Sequence, residues 1–527
     1  MGKRILEATL AAVVISALLG LGLFRTADNA ASDALYQKTG LQNRDIVVFG
    51  IDQETIDALG PVSGLRGAMA QVIERLNAVP EDRPAVIGLD LMYTGENRDN
   101  PEADARLAEA AARGGNVVVA ADAVFGNEII TRENGTYAVR QRTVTGWYAP
   151  YAALSAAADC GHVNEMLDTD GLFRHAQLYV DTPANGRVYS FARVIYEQWC
   201  AARGLTPNGM PETSEHGFYY LPFSQDGGGY SDAFTFLDLV QGEVDPYFYR
   251  GKIVLIGAYA SGMQDAVQTS LNHAAKMQGI DIQANIIEAF QKGFYPREAG
   301  QPLQLAIVFL LCFAMGLFFR ERGVLPSAIG WALLCLAWLG VCFVCYTRGA
   351  IVLHVLWAPI GVSVLFFGSV ALNYVRSQRE RRRVTDTFGY YIDPAVRDQL
   401  LARGPEALEL GGETREVAVL FVDVRGFTAM SEAMDAQTVV EIVNRYLTLT
   451  TDCIMENKGT LDKFVGDCTM AIWNAPIEQA DPVYLACRAA MDMLDGARAL
   501  EEELRSRWGQ TVSFGIGVNW GPAVVGN

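Results

Sequence analysis

The sequence predicts three architectures in series: an α/β domain in the N-terminal half, an all-α membrane segment, and an α+β domain at the C-terminal end. Three observations predict them. Short Val- and Ile-rich runs alternate with helical patterns between residues 45 and 290. Three apolar stretches without Asp, Glu, Lys or Arg crowd together between residues 302 and 374. A strand-like run, an amphipathic helix pattern and a hairpin pattern follow one another after residue 414. A chain of 527 residues holds about two to four domains of ordinary size. Half of its residues are apolar and mean hydropathy is +0.14, as expected of a chain with membrane segments. The net charge of −18 excludes binding of nucleic acid through a basic surface. Five histidines and nine cysteines give no metal cluster, because the one C-x-x-C pair, Cys342 and Cys345, lies inside an apolar run where the thiols read as small hydrophobes.

The first element is an apolar run over 8–24, after Lys3 and Arg4. It is too long for the usual apolar region of a signal peptide and lacks a clean A-x-A site after it, so it reads as an uncleaved anchor; a cleaved signal peptide is the alternative. Either way the segment behind it is translocated. The runs over 302–319, 325–346 and 351–374 each approach the ~20 residues that span a bilayer as helix. Their short connections require an up-down-up bundle. Lys3 and Arg4, Arg320 and Arg322, and Arg376, Arg379, Arg381, Arg382 and Arg383 all fall on one side if there are four spans. The positive-inside rule then places residues 25–301 outside and 375–527 in the cytoplasm. Cys160 and Cys200 fall on the oxidising side, as a pair or as two thiols.

In the outer segment, "DIVVFGID" (45–52), "AVIGLDL" (85–91), "GNVVVAAD" (115–122) and "GKIVLIGAY" (251–259) read as strands buried on both faces, with helices such as 102–113 covering them. Asp52 and Asp90 stand at strand ends, where carboxylates line a ligand site or cap the next turn. The stretches "VVFGIDQETIDALG", "VIGLDLMYTGENRDNPEADARLAEAA", "GHVNEMLDTDGLFRHAQLYV" and "YRGKIVLIGAYASGMQDAV" with "MQGIDIQANIIEAF" resemble the CHASE2 extracytoplasmic sensor domain, over roughly 28–300. That resemblance implies a sensor role with an unknown outer ligand, followed by three membrane helices and a cytoplasmic signalling module. The expected boundaries are an N-terminal membrane helix over 1–27, the sensor over 28–300, three membrane helices over 301–374, a connector over 375–413 and a catalytic domain over 414–527.

The C-terminal module opens with a strand over 417–422 ending in Asp423, then a turn through Gly426, Phe427 and Thr428. A helical face runs over 438–458 and stops at Gly459. Residues 461–465 and 468–473 form a hairpin about Gly466-Asp467, with Gly first in a type II′ turn. If the hairpin pairs beside the 417–422 strand, Asp423 meets Asp467. Two carboxylates brought together need a cation, and hard oxygens suit Mg²⁺. Free backbone N–H groups of Gly426, Phe427 and Thr428 make a phosphate cradle. Lys463 can face the same cleft. The plain alternative is that Asp467 forms a turn and Asp423 caps a helix.

"VLFVDVRGFTAMSE", "LDKFVGDCTMAIWNAP" and "FGIGVNWGPAVVGN" resemble the class III nucleotide cyclase catalytic domain of bacterial type, an α+β ferredoxin-like fold. The resemblance implies that Asp423 and Asp467, with the Val424 carbonyl, hold two Mg²⁺ or Mn²⁺ ions. One ion would activate the ribose 3′-hydroxyl and the other would neutralise the triphosphate. Gly426, Phe427 and Thr428 would hold phosphates. Lys463 would read adenine N1, favouring ATP; members that use GTP generally carry Glu there. The implied protein is an inner-membrane, multi-pass adenylate cyclase working as a homodimer through its catalytic domain and connector. The chain stops at Asn527 inside this domain, so the resemblance leaves the second adenine-reading residue and the Asn and Arg of the transition state beyond it. The expectation is a fragment of a longer protein. The alternative function is a cyclase-like receptor that dimerises or binds nucleotide without turnover. No histidine follows His354, which excludes a histidine kinase. Gly411-Gly412-Glu413-Thr414 is similar to the start of a diguanylate cyclase signature but precedes the strand, and reads as linker.

Overall fold

The computed structural model describes residues 2–61, 64–131, 137–260, 263, 265–389, 412–511 and 513–525. The sequence-predicted connector lies largely outside them. The chain divides into two compact units, Met1–Val370 and Ala371–Asn527.

The first unit is built on a sheet in the order Ile46–Ile51, Ile253–Ala258, Val86–Asp90, Val117–Thr131, with Asp159–His162 on the far side of the last. All these pairings are parallel. The first three strands are buried at every position. That follows from continuous Val/Ile/Leu runs, which need cover on both faces. One face packs on the Phe191–Arg203 and Gly279–Lys292 helices, the other on Arg66–Leu76 and Pro101–Gly114. The four expected strands and the 102–113 helix are all present. Past the sheet edge, Val117–Thr131 continues as an antiparallel hairpin with Tyr137–Tyr148.

The cysteines do not pair. Cys200 belongs to one core and Cys160 packs on the other, so the sheet separates them. The two strand-end aspartates also part ways. Asp52 caps the Gln53–Leu59 helix, accepting from Thr55 N at 2.8 Å. Asp90 is buried, and burial followed by the Asp265 charge pushes its carboxyl up.

Gln301–Arg320, Val324–Gly349 and Trp357–Arg379 are long and apolar enough to cross a membrane. The N-terminal run differs from a single straight span over 8–24. Its Gly2–Gly20 helix breaks at residues 21–24 and turns by 79° into Arg25–Tyr36. Gly22 and Phe24 both take positive φ there, which ends the first helix.

The second unit carries a four-stranded antiparallel sheet, ordered Thr460–Val465, Cys468–Trp473, Glu413–Arg425, Ser513–Val525. The Ala436–Glu456 and Pro482–Trp508 helices supply its core residues Ile442, Tyr446, Ala486 and Met493. The central strand starts earlier and ends later than expected. Glu413 and Thr414, read as linker, already pair with Val525 and Val524.

Candidate active site

Alternation along the central strand positions the site. Ala418, Leu420, Val422 and Val424 are buried under the helices, which turns Phe421 and Asp423 to the other face. Cys468–Trp473 lies beside this strand, with Val422 opposite Thr469. Asp467, in the turn before Cys468, is thereby delivered to Asp423. Gly466 takes φ 66° at the first turn position, a conformation that costs glycine nothing.

The two carboxyls interact. Burial and then the charge and hydrogen bond of Asp423 push the Asp467 carboxyl up. The Cys468 thiol is also raised, first by burial and then by both aspartates. Among the described residues neither aspartate forms an ion pair. Such a pair of oxygen donors facing each other fits a hard divalent cation, whose remaining ligands come from water and substrate phosphate. Val424 is buried one residue on.

Past Arg425, Gly426 adopts φ 77° and caps the Phe427–Ala433 helix. Gly426, Phe427 and Thr428 therefore sit at a helix start, where N–H groups lack intrahelical partners. Lys463 lies on the outer hairpin strand, just after a bulge, opposite Met470. Its side chain is 61% exposed and its Nζ is 3.3 Å from Asp462 Oδ2. The structure thus brings Asp423 and Asp467 together, while the Lys463 ammonium contacts Asp462 and neither site carboxylate.

Tyr446 supports the site without standing out in the sequence, where it is one more position on the apolar helix face. Its hydroxyl donates to the Val422 carbonyl at 2.7 Å, next to Asp423, and its ring meets Phe514 edge-on at 4.9 Å. A buried hydroxyl usually finds a partner, and that is the one signal its sequence offered.

This strand, turn and hairpin define a nucleotide cyclase catalytic domain. A family model described as the adenylate and guanylate cyclase catalytic domain matches residues 411–527, and one described as the CHASE2 domain matches 8–318. The chain belongs to the CHASE2-domain family, with a class III cyclase catalytic domain at its C-terminal end.

Uncharacterized proteins of Mycobacterium bovis and Mycobacterium tuberculosis are each 37% identical over 153 residues, which are 29% of this chain and 25% of theirs. The chain thus spans about a quarter of the length of the curated relatives it matches. The adenylyl cyclase CyaB from P. aeruginosa is similar at 30% identity and TM-score 0.22, covering 22% of this chain and 62% of that one. The guanylyl cyclase Cya2 is similar at 34% identity and TM-score 0.22, covering 22% and 60%.

Proposed function

We propose that the protein is a membrane-bound sensor adenylate cyclase that converts ATP to 3′,5′-cyclic AMP and pyrophosphate. The observation that carries this reading is the contact between Asp423 and Asp467 beside the Gly426–Thr428 helix start. Asp423, Asp467 and the Val424 carbonyl would hold two Mg²⁺ or Mn²⁺ ions. Bound there, the ions supply Lewis-acid activation and neutralise phosphate charge. The chain's own groups do the rest. Gly426, Phe427 and Thr428 orient the phosphates through backbone N–H groups. Lys463 turns from Asp462 to donate to adenine N1, which is an acceptor where guanine N1 carries hydrogen.

The arginine and lysine distribution supports an outer sensor and a cytoplasmic catalytic domain. The open sheet face supports a homodimer. Phe421 is 45% exposed on that face, and a groove of about 480 Å³ runs along Val417, Val419, Phe421 and Asn519. Solvent-facing aromatic residues in such a patch mark a partner surface.

The test is product formation by the full-length protein with ATP or GTP and Mg²⁺ or Mn²⁺. Cyclic AMP formation that disappears in Asp423→Asn is expected. Cyclic GTP as the main product would overturn the substrate assignment, and tight nucleotide binding without product would replace the enzyme with a receptor.

A further inference from the structure

In the first unit, the sheet domain is tied to the membrane-entering segments by a chain of ion pairs. Asp33, on the Arg25–Tyr36 helix and 3% exposed, accepts Arg174 Nε at 3.0 Å and Nη2 at 2.7 Å, while His273 Nε2 lies 3.0 Å from its Oδ2. Arg174 Nη1 also reaches Asp170 at 2.7 Å and Asp168 at 3.2 Å. His175 bridges Asp168, at 3.0 Å, and Glu298, at 3.4 Å. The Glu298 strand pairs with Ile351–Val352. Just beyond it, His354 Nδ1 lies 2.5 Å from Asp28 Oδ2, and the other Asp28 oxygen accepts Leu356 N–H at 2.6 Å.

Direct contacts with arginine do not balance the charges in this network. Five carboxylates, Asp28, Asp33, Asp168, Asp170 and Glu298, share one arginine. Other neighbours add little charge. Asn29 donates to Asp170, Tyr220 stands edge-on to His175, Arg297 is taken by Glu212, and Arg25 lines the adjoining cavity of about 310 Å³. Asp28 and Asp33 are buried, where an unneutralised carboxylate is costly. Three of the chain's five histidines touch these carboxylates, His175 two of them and His273 and His354 one each.

We infer that this junction is a proton-binding latch: protonated His175, held between Asp168 and Glu298, clamps the Glu298 strand, which pairs with Ile351–Val352 just ahead of the last apolar helix, to the sheet domain, and its deprotonation loosens that strand. As a device for controlling the catalytic domain, it rests on the sensor reading above. Burial alone would lower the His175 pKa, but the hydrogen bonds it donates to Asp168 and Glu298 raise it to about 9. A histidine raised above its ordinary value of about 6.5 contributes fully below that pH, and the contribution is lost as pH rises through about 9. Asp170 is partly desolvated, yet Arg174 and Asn29 hold it down at about 2, so its contribution fails only in strong acid. The latch is therefore complete in mild acid and opens toward alkaline pH.

Hydrogen exchange on the full chain in lipid nanodiscs tests this, with rates corrected for the intrinsic pH dependence of exchange. Ala299 N–H, one residue past Glu298, bonds the Val352 carbonyl at 3.0 Å. Its protection should fall at least tenfold from pH 6 to pH 9.5. A His175→Gln variant should be poorly protected at both pH values. Equal wild-type protection at the two pH values, or a wild-type profile in the variant, would overturn the inference.

If His175→Gln does not fold, His175→Lys serves in its place, because lysine keeps its positive charge to higher pH. That variant should hold its Ala299 N–H protection from pH 6 to pH 9.5, and a wild-type fall in it would overturn the latch. Neither readout depends on turnover, so failure here leaves the catalytic reading standing.

Discussion

The two sheets of this molecule are built on opposite plans. The parallel sheet of the first unit is covered on both faces, and its first three strands are buried at every position. The antiparallel sheet of the second unit is covered on one face, and its central strand alternates between Leu420, which is buried, and Phe421, which is 45% exposed. A closed sheet can only be a scaffold, with chemistry confined to its ends. An open sheet offers a whole face to substrate or partner. Substitutions of similar size should therefore damage different properties in the two units.

The largest contrast comes from the carboxylate pair. Asp423→Asn or Asp467→Asn in the full-length protein should cut cyclic AMP formation by about three orders of magnitude, the scale of ~4 kcal/mol of lost transition-state stabilisation. The thermal midpoint should stay level or rise, because burial and then the neighbouring Asp423 raise the Asp467 pKa, so that its ionisation opposes folding. Ile256→Ala, in the middle of the closed sheet, should do the reverse. It should cost the first unit about 2–5 kcal/mol in a denaturant melt. If Ile256→Ala lowered turnover at unchanged stability, the division between scaffold and open face would fail.

Lys463→Glu should lower ATP turnover by about 10–100-fold, since acceptor then faces acceptor in a desolvated site. Steady-state kinetics with ATP and GTP would show it. An unchanged ratio between the two substrates would leave Lys463 as the surface residue that its contact with Asp462 depicts. Phe421→Glu should weaken self-association by roughly 30-fold or more, as expected for a central aromatic anchor worth about 2 kcal/mol. Sedimentation equilibrium of the full-length protein in detergent measures it; an unchanged equilibrium would assign the open face to something other than a second copy.

How much of this was legible follows from where each signal lives. The closed sheet was readable because both-face burial writes itself as unbroken apolar runs, and the Gly466-Asp467 turn was readable because two residues encode it. The extra length of the central strand was not, since Glu413 and Thr414 are polar and join the sheet only through pairing with Val524 and Val525. The bend after Gly20 was hidden because apolar composition continues through Leu21, Leu23 and Phe24 while the backbone turns. The junction network was invisible, because its members lie up to 326 residues apart and each alone looks like a surface charge. Tyr446 was seen as packing, and only the fold shows that its hydroxyl holds the strand beside Asp423.

The finest test lies within the closed sheet, at two aspartates that the sequence presents alike. Asp52 and Asp90 both sit at the end of a buried parallel strand. Asp52 accepts from Thr55 N–H at 2.8 Å and from the Thr55 hydroxyl at 2.7 Å, so its side chain caps the helix that follows. Asp52→Ala should cost about 1 kcal/mol, the usual worth of a helix cap. Asp90 has the opposite character. Burial and Asp265 raise its pKa, and Asp265 is raised by its own burial. A carboxyl raised in the folded state favours folding while protonated and loses that contribution as pH climbs from about 4 through its raised value. Asp90→Asn keeps the size and removes the titration. Its stability should match wild type near pH 4 and exceed it at pH 8, where Asp52→Ala is still destabilised. Thermal melts of the two variants across that range separate the cases. A stability loss for Asp90→Asn that persists at pH 8 would mean that its carboxylate is held by a favourable partner, and that the two strand ends are alike after all.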